Sequence, residues 1–469
     1  MQEKIYINYT NDLHSNFEQW PRVATYFKQA RAKHMQDEET HWIVDIGDHV
    51  DRVHPISEAF MGKANVELMN TIAYDVATIG NNEGITLSHE DLYHLYDRAS
   101  FDVTCANLES LTGDMPHWLN MYTVRTSDSG VRVAMIGMTA PFNDYYHLLQ
   151  WHIASPYEKL QAYVPKIKAE ADIIILLSHL GLNEDQEIAR RFPDIDVIIG
   201  GHTHHLLRTG ELVNNTLLTA AGKHCAFVGD VILTWDHKRK KLINKEAYTT
   251  DITHLPLDQQ TVVQLNDWEE KAIHKLNQTI VQLDEPIEIK WFQHTEIMQL
   301  LTDTVCDWTK ADCAMLNAGL LLDDIPAGKV SYGTVHRICP HPINPCVVPL
   351  NGRQLMEVVR QSLAKSFVEL KLKGFGFRGE VIGQMIFSGL NVVTETHENG
   401  EVYVKDVHMD GKPLQPDIIY QVAVPDMFTF GRLLPEVARS EEKHYFLPEF
   451  LRDLLVVTLE KNFDKKNSL

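Results

Sequence analysis

Short apolar runs recur along the first half of the chain, at residues 5–9, 42–46, 76–79, 103–106, 131–136, 173–177 and 197–199. Between several of them lie segments whose apolar positions fall near helical spacing, at 20–33, 58–72 and 156–169. Short continuous runs of this kind predict strands buried in a sheet, and their alternation with helices predicts an α/β layered fold. Two β-rich runs, 216–220 and 226–235, close this part.

The pattern then changes. Residues 258–281 are polar, contain neither Gly nor Pro, and place Val263, Leu265, Trp268, Ala272, Leu276 and Ile280 near helical spacing, which predicts a linking helix. Beyond 285 the chain has α+β character, with helices expected at 296–310 and 354–373 and strands at 383–393 and 418–424. A length of 469 residues exceeds one ordinary core, so two domains are expected, 1–250 and 285–469, joined through 251–284.

Composition narrows the function. Hydrophobic content of 44% and charged content of 23% describe a soluble globular protein. A net charge of −21 argues against binding nucleic-acid polymers or anionic membranes, because both need clustered Lys and Arg. An acidic protein can still take a small phosphorylated molecule if metal ions supply the local positive charge. No run is long enough to span a bilayer, and no basic segment followed by an apolar core opens the chain. The six cysteines form no CxxC pair and read as reduced thiols. Together these features predict a cytoplasmic location.

Candidate chemistry sits directly after the predicted strands. Asp12 and His14 follow the first, Gly47-Asp48-His49-Val50-Asp51-Arg52 the second, and Gly80-Asn81-Asn82-Glu83 the third. His179 follows the run at 173–177, and Gly201-His202-Thr203-His204 follows that at 197–199. In open α/β sheets ligands bind at the carboxyl ends of strands, so these clusters are expected to converge. Carboxylate, imidazole and amide donors suit Zn, Mn, Fe or Co and exclude a thiolate site. Two ions about 3.5–4 Å apart would generate a hydroxide nucleophile and stabilise attacking and leaving oxygens, which suits phosphoryl chemistry.

In this order the blocks Asp12-x-His14, Gly47-Asp48-x-x-Asp51, Gly80-Asn81-x-Glu83, His179 and Gly201-His202-Thr203-His204 resemble the calcineurin-like metallophosphoesterase superfamily. The second half is similar to the C-terminal domain of 5′-nucleotidases, through Asn317-Ala318-Gly319, Asp324-Ile325-Pro326-Ala327-Gly328, Tyr332-Gly333 and Asn351-Gly352. The resemblance implies a four-layered metallophosphoesterase β-sandwich flanked by helices, plus a smaller α+β substrate domain. It assigns Asp12, His14, Asp48 and His204 to one divalent metal ion and Asp48, Asn81, His179 and His202 to a second, with Asp48 bridging. The implied activity is hydrolysis of a nucleotide or a related small phosphate ester.

Several positions depart from the family pattern. Asn82 stands where a proton-donating His is usual, and Ile85 where an Asp orients that His. An amide cannot act as a general acid, and Asn82 is expected instead to hold a non-bridging phosphate oxygen beside the metals. Leu322 replaces an Arg, His341 falls where a base-stacking aromatic is expected, and Phe428 or Phe430 would supply the second stacking ring. No arginine occurs in Lys290-Trp291-Phe292-Gln293-His294. Gly374-Phe375-Gly376-Phe377-Arg378-Gly379 fits a dinucleotide motif only literally; it reads as a substrate-facing loop with Arg378 as a replacement phosphate contact, or as a plain turn. Arg52 has two readings, a phosphate contact or a salt bridge to a nearby carboxylate. Among 24 histidines, His49 and His205 are expected to pack behind the ligands. His41, His54, His94, His147 and His224 are expected to be structural or solvent-exposed. The leading expectation is a 5′-nucleotidase-like phosphoesterase. The alternatives are a phosphodiesterase or nucleotide-sugar hydrolase, whose better leaving group tolerates a missing acid, and a catalytically weak metal-dependent binding protein.

Overall fold

The computed structural model describes residues 2–396, 402–431 and 433–463. The chain divides into two compact units, Met1–Ala272 and Ile273–Leu469. The helix Gln259–Leu276 crosses that boundary, and the strand Thr279–Leu283 follows it.

The first unit is built on two sheets. One has seven strands, in the order Lys241–Asp251, Phe227–Asp236, Gln2–Thr10, Thr40–Asp45, Val76–Ala77, Asp102–Thr104 and Leu119–Asn120. The other has six, in the order Glu211–Val213, Thr216–Thr219, Val197–Gly200, Ile173–His179, Arg132–Thr139 and Tyr122–Thr126. One buried cluster joins side chains of both, including Ile5, Ile7, Val44, Met135, Ile175, Leu177, Ile199 and Val231. A second, with Ile174, Leu176 and Ile198, covers the outer face of the six-stranded sheet with Leu160, Val164 and Ile167 of the helix Pro156–Glu170. Alternate residues of a strand point to opposite faces, so Ile174 and Ile175 serve different layers. Helices outside and a shared core between the sheets make the expected four-layered sandwich.

Parallel pairing places the motifs at one end of each sheet. Gln2–Thr10 runs parallel to Thr40–Asp45, and that strand runs parallel to Val76–Ala77. Ile173–His179 is parallel to Val197–Gly200. Each chemistry-bearing segment therefore leaves its strand at the carboxyl end.

Two local expectations change. The helix predicted over 58–72 is two helices, Pro55–Phe60 and Lys63–Ile72, because Met61 and Gly62 both adopt positive φ, 48° and 76°. The strand Lys241–Asp251, too charged to stand out as an apolar run, pairs along its length with Phe227–Asp236.

The second unit holds a five-stranded sheet in the order Met385–Ser388, Cys313–Asn317, Ile419–Pro425, Pro345–Asn351 and His444–Tyr445. The helix Glu296–Thr309 buries Ile297, Met298, Leu301 and Val305, an apolar stripe at helical spacing. The predicted helix 354–373 stops early, as Gly352–Ser362, with a separate short turn at Lys365–Val368. Among the described residues no helix is long and apolar enough to cross a membrane.

Candidate metal centre

Five side chains of the first unit converge tightly. His14 Nε2 and His204 Nε2 lie 3.1 Å apart, with Asp12 Oδ1 at 3.7 Å from the first and 3.3 Å from the second. Asp48 divides its oxygens, Oδ2 lying 3.6 Å from His14 Nε2 and Oδ1 lying 3.3 Å from His179 Nε2. Two groups of donor atoms result, Asp12/His14/His204 and Asp12/Asp48/His179. Imidazole nitrogens facing each other across carboxylates suit a divalent cation.

Two orphaned atoms strengthen that fit. Asn81 Oδ1 and His179 Nε2 are buried without a hydrogen-bond partner, where an unmade bond is costly. The other nitrogen of His179, Nδ1, meets Ile46 O at 2.8 Å, so the carbonyl fixes the ring with Nε2 toward the site. His202 enters differently. Its backbone N–H reaches both oxygens of Asp12 at 3.1 Å, while its ring lies 5.3 Å from that of His179.

The loops pay for this convergence in backbone strain. Asp12, His14, Asp48, His202 and His204 all have positive φ, between 50° and 69°, a region that costs an L-residue about 1–2 kcal/mol. Hydrogen bonds hold them there: Asp12 N to Gly47 O (3.1 Å), His14 N to Asp48 O (2.8 Å) and Asn82 N to Asp48 Oδ1 (2.8 Å). Gly47 has φ of 88°, and a Cβ on it would stand 2.3 Å from Gly80 N, so the second and third loops touch through glycine. Glu83, fully buried, accepts the backbone N–H groups of Asp48, Val50 and Gly80 at 2.8–3.0 Å and ties these two loops together. Its place in the motif was visible in the sequence, but this tethering role was not.

Electrostatics follow the same pairing. Burial alone would push the imidazoles down, but Asp12, Asp51 and Asp48 lift His14 to about 10, and Asp48 and Asp12 do the same for His179. Burial alone would raise the carboxyls of Asp12 and Asp48, yet the facing imidazoles hold both below the usual range. Burial, then the charge of Asp48, pushes Glu83 up to about 7.

Other predicted residues sit elsewhere or do other work. Asn82 places Nδ2 at 3.0 Å from His14 Nδ1 and donates to Val50 O at 3.2 Å, so its amide packs beside a ligand candidate. Arg52 is buried and gives Nε and Nη2 to Glu58 at 2.8 and 2.9 Å and Nη1 to Thr86 O at 2.9 Å, which is the salt-bridge reading with Glu58 as the carboxylate. His49 is interior, edge-on to Trp20 at 5.0 Å, and His205 is exposed beside Thr203.

In the second unit the stacking role expected of His341 needs correction. The ring is fully buried, with Nε2 on Leu320 O at 2.9 Å and Nδ1 accepting from Arg378 N at 2.9 Å. It pins the glycine-rich loop and stacks on Phe377 at 5.2 Å. Phe428 is also fully buried and is a core residue. Phe430 instead lies parallel to Phe375, a ring 48% exposed on the glycine-rich loop, with centroids 6.3 Å apart and planes 7° apart. The guanidinium of Arg378 turns back to Phe377 O at 3.4 Å.

The sandwich, the second unit and the strand-end donors define a metallophosphoesterase with a nucleotidase-type C-terminal domain. The model for calcineurin-like phosphoesterases matches residues 5–206, and that for the 5′-nucleotidase C-terminal domain matches 277–432. A metallophosphoesterase of Bacillus subtilis, YunD, is 41% identical over 97% of this chain and 99% of its own length. The chain belongs to this family, and with it to the phosphoric ester hydrolases. Two solved structures share the fold over both units: a 5′-nucleotidase precursor of Thermus thermophilus (TM-score 0.61, 20% identity, 98% of this chain and 97% of that one) and the NAD nucleotidase of Haemophilus influenzae (TM-score 0.69, 15% identity, 99% and 97%).

Proposed function

We propose that the chain hydrolyses nucleotide-like phosphate esters at a two-metal centre formed by Asp12, His14, Asp48, Asn81, His179, His202 and His204. The observation that carries this reading is the pair of orphaned buried donors, Asn81 Oδ1 and His179 Nε2, beside carboxylates and the facing nitrogens of His14 and His204. Divalent ions bound there would polarise the phosphate and lower the pKa of a water to give a nucleophile at neutral pH. The protein's part is orientation. Ile46 O sets the His179 tautomer, Asp51 faces the Nδ1 side of His14 as its acceptor, and Glu83 fixes the loops that carry Asp48 and Asn81. In the second unit, Phe375 and Phe430 offer parallel aromatic faces suited to a flat ring such as a nucleobase.

One observation favours phosphodiesters or nucleotide sugars over monoesters. Position 82 carries an amide packed against His14 and Val50, so it offers the leaving oxygen no proton. The test is turnover of mononucleotides, cyclic nucleotides, dinucleotides and nucleotide sugars by protein stripped and reloaded with Mn, Zn or Co. Turnover no faster than that of Asp48→Asn removes the hydrolase reading, and turnover confined to diesters removes the nucleotidase one.

A further inference from the structure

A histidine outside the ligand motifs stands at the edge of this centre. His224 lies on the loop that follows the strand Thr216–Thr219 and precedes Phe227–Asp236. That loop is tethered to the first strand end. Asn11 accepts the N–H of Ala221 at 3.0 Å and donates to Gly222 O at 2.7 Å, and the His224 N–H reaches Asp12 O at 2.8 Å. The ring meets His14 edge-on, with centroids 5.9 Å apart and planes at 88°. His14 meets His204 in the same manner at 5.2 Å, so the three imidazoles form one group.

Two further features set His224 apart. It shares the ligands' strained backbone, with φ of 58°, and Cys225 after it has φ of 50°. It is half-buried, and among the described residues neither ring nitrogen has a hydrogen-bond partner. Other polar candidates are held elsewhere: Asn82 lies against His14 and Val50, Arg52 bonds Glu58 and Thr86, and His49 is interior, edge-on to Trp20 with Nδ1 on Asn65. A strained, tethered imidazole with a free N–H beside metal-ligand candidates is placed to receive an anion.

We propose that His224 is a substrate-contacting residue whose ring N–H donates a hydrogen bond to an oxygen of the phosphate ester. The role rests on the phosphoesterase reading and needs no proton transfer, since an imidazole offers an N–H in either protonation state. A fixed donor aimed at an oxyanion strengthens as charge builds in the transition state.

The test uses the full chain loaded with Mn for kinetics and with Zn for spectroscopy, as His224→Phe, which keeps a ring without the donor, and His224→Asn, which tolerates positive φ and keeps an N–H. Metal content of each variant is measured first and is expected to match wild type. With bis(p-nitrophenyl) phosphate, kcat is expected to fall on the order of 100-fold for His224→Phe and to recover partly in His224→Asn. Binding of inorganic phosphate, read by calorimetry, is expected to weaken roughly 10-fold in His224→Phe, an effect of the size of one charge-assisted hydrogen bond. In wild type, a histidine side-chain N–H resonance absent from the His224→Asn spectrum is expected to shift on phosphate addition, a readout that does not depend on the Phe variant folding. Unchanged kcat and phosphate affinity in a folded His224→Phe, or an unmoved resonance in phosphate-saturated wild type, overturns the proposal. Absence of turnover in wild type itself would count against the hydrolase reading instead, while phosphate binding and the resonance still decide the role of His224.

Discussion

Asn82 Nδ2 lies 3.0 Å from His14 Nδ1, and Asp51 Oδ2 approaches the same nitrogen at 3.5 Å. A ring that ligates through Nε2 carries its proton on Nδ1, so of these two neighbours only the Asp51 carboxylate can accept it, leaving Nε2 toward His204. Asp51 is thus a positioning residue for His14. Partners of this kind are worth roughly 10–100-fold in metal affinity. Asp51→Ala is expected to weaken one of two Mn binding events by that factor and leave the other within a few-fold. Calorimetric titration of the stripped protein reads both.

The protonation pattern predicts how the metal-free protein responds to pH. His14 and His179 are raised to about 10, above the roughly 6.5 of an unfolded histidine. Their contribution to stability is therefore full below about pH 6.5 and is lost as pH rises through 10. The buried carboxyls of Asp45 (about 8), Glu83 (about 7) and Asp185 (about 7) are also raised, so their contribution is lost from about pH 4 upward. Melting temperature of the stripped protein should fall from pH 6 to pH 9. Metal displaces the imidazole protons, so affinity should rise over the same range and binding should release protons. Calorimetry in buffers of different ionisation enthalpy counts them; no proton release would contradict the pairing of His14 and His179 with Asp12 and Asp48.

Glu83 receives three backbone N–H groups from the two loops that carry Asp48 and Asn81. Glu83→Ala strands all three, at about 1–3 kcal/mol each. Urea unfolding should show a loss of at least about 3 kcal/mol. Metal affinity should fall as well, although Glu83 is assigned no metal.

Arg52 and Glu58 form a buried bidentate pair. Arg52→Met takes both guanidinium hydrogen bonds and the countercharge from the buried Glu58 carboxylate, which should cost about 3–5 kcal/mol. If Arg52 only holds this fold, KM for the best ester found stays within a few-fold in the double variant Arg52→Met/Glu58→Leu, which removes both charges. A KM rise of 10-fold or more there, with stability restored, would return Arg52 to the phosphate.

The layered fold and the strand-end clusters were legible because each buried strand is a continuous apolar run and each polar cluster follows one directly. Other features depend on three-dimensional partners. Met61 gives no local sign of the positive φ that splits the helix beside Gly62. Arg52 had a carboxylate six positions on, but nothing in the spacing said that Glu58 would turn to it. His341 looked like a ligand surface from its motif position, whereas the core closes over it and uses both nitrogens. His224 follows no motif and comes to His14 only because Asn11 and Asp12 hold its loop.

If Asp48 and its neighbours hold two metal ions, as proposed, the number of ions bound per chain reports it. Protein stripped with chelator and dialysed against Mn should hold two ions per chain by elemental analysis, and Asp48→Asn should hold one or none while keeping its fold. Equal metal content in wild type and Asp48→Asn, or a single ion in wild type at saturation, would contradict a two-metal centre that needs Asp48.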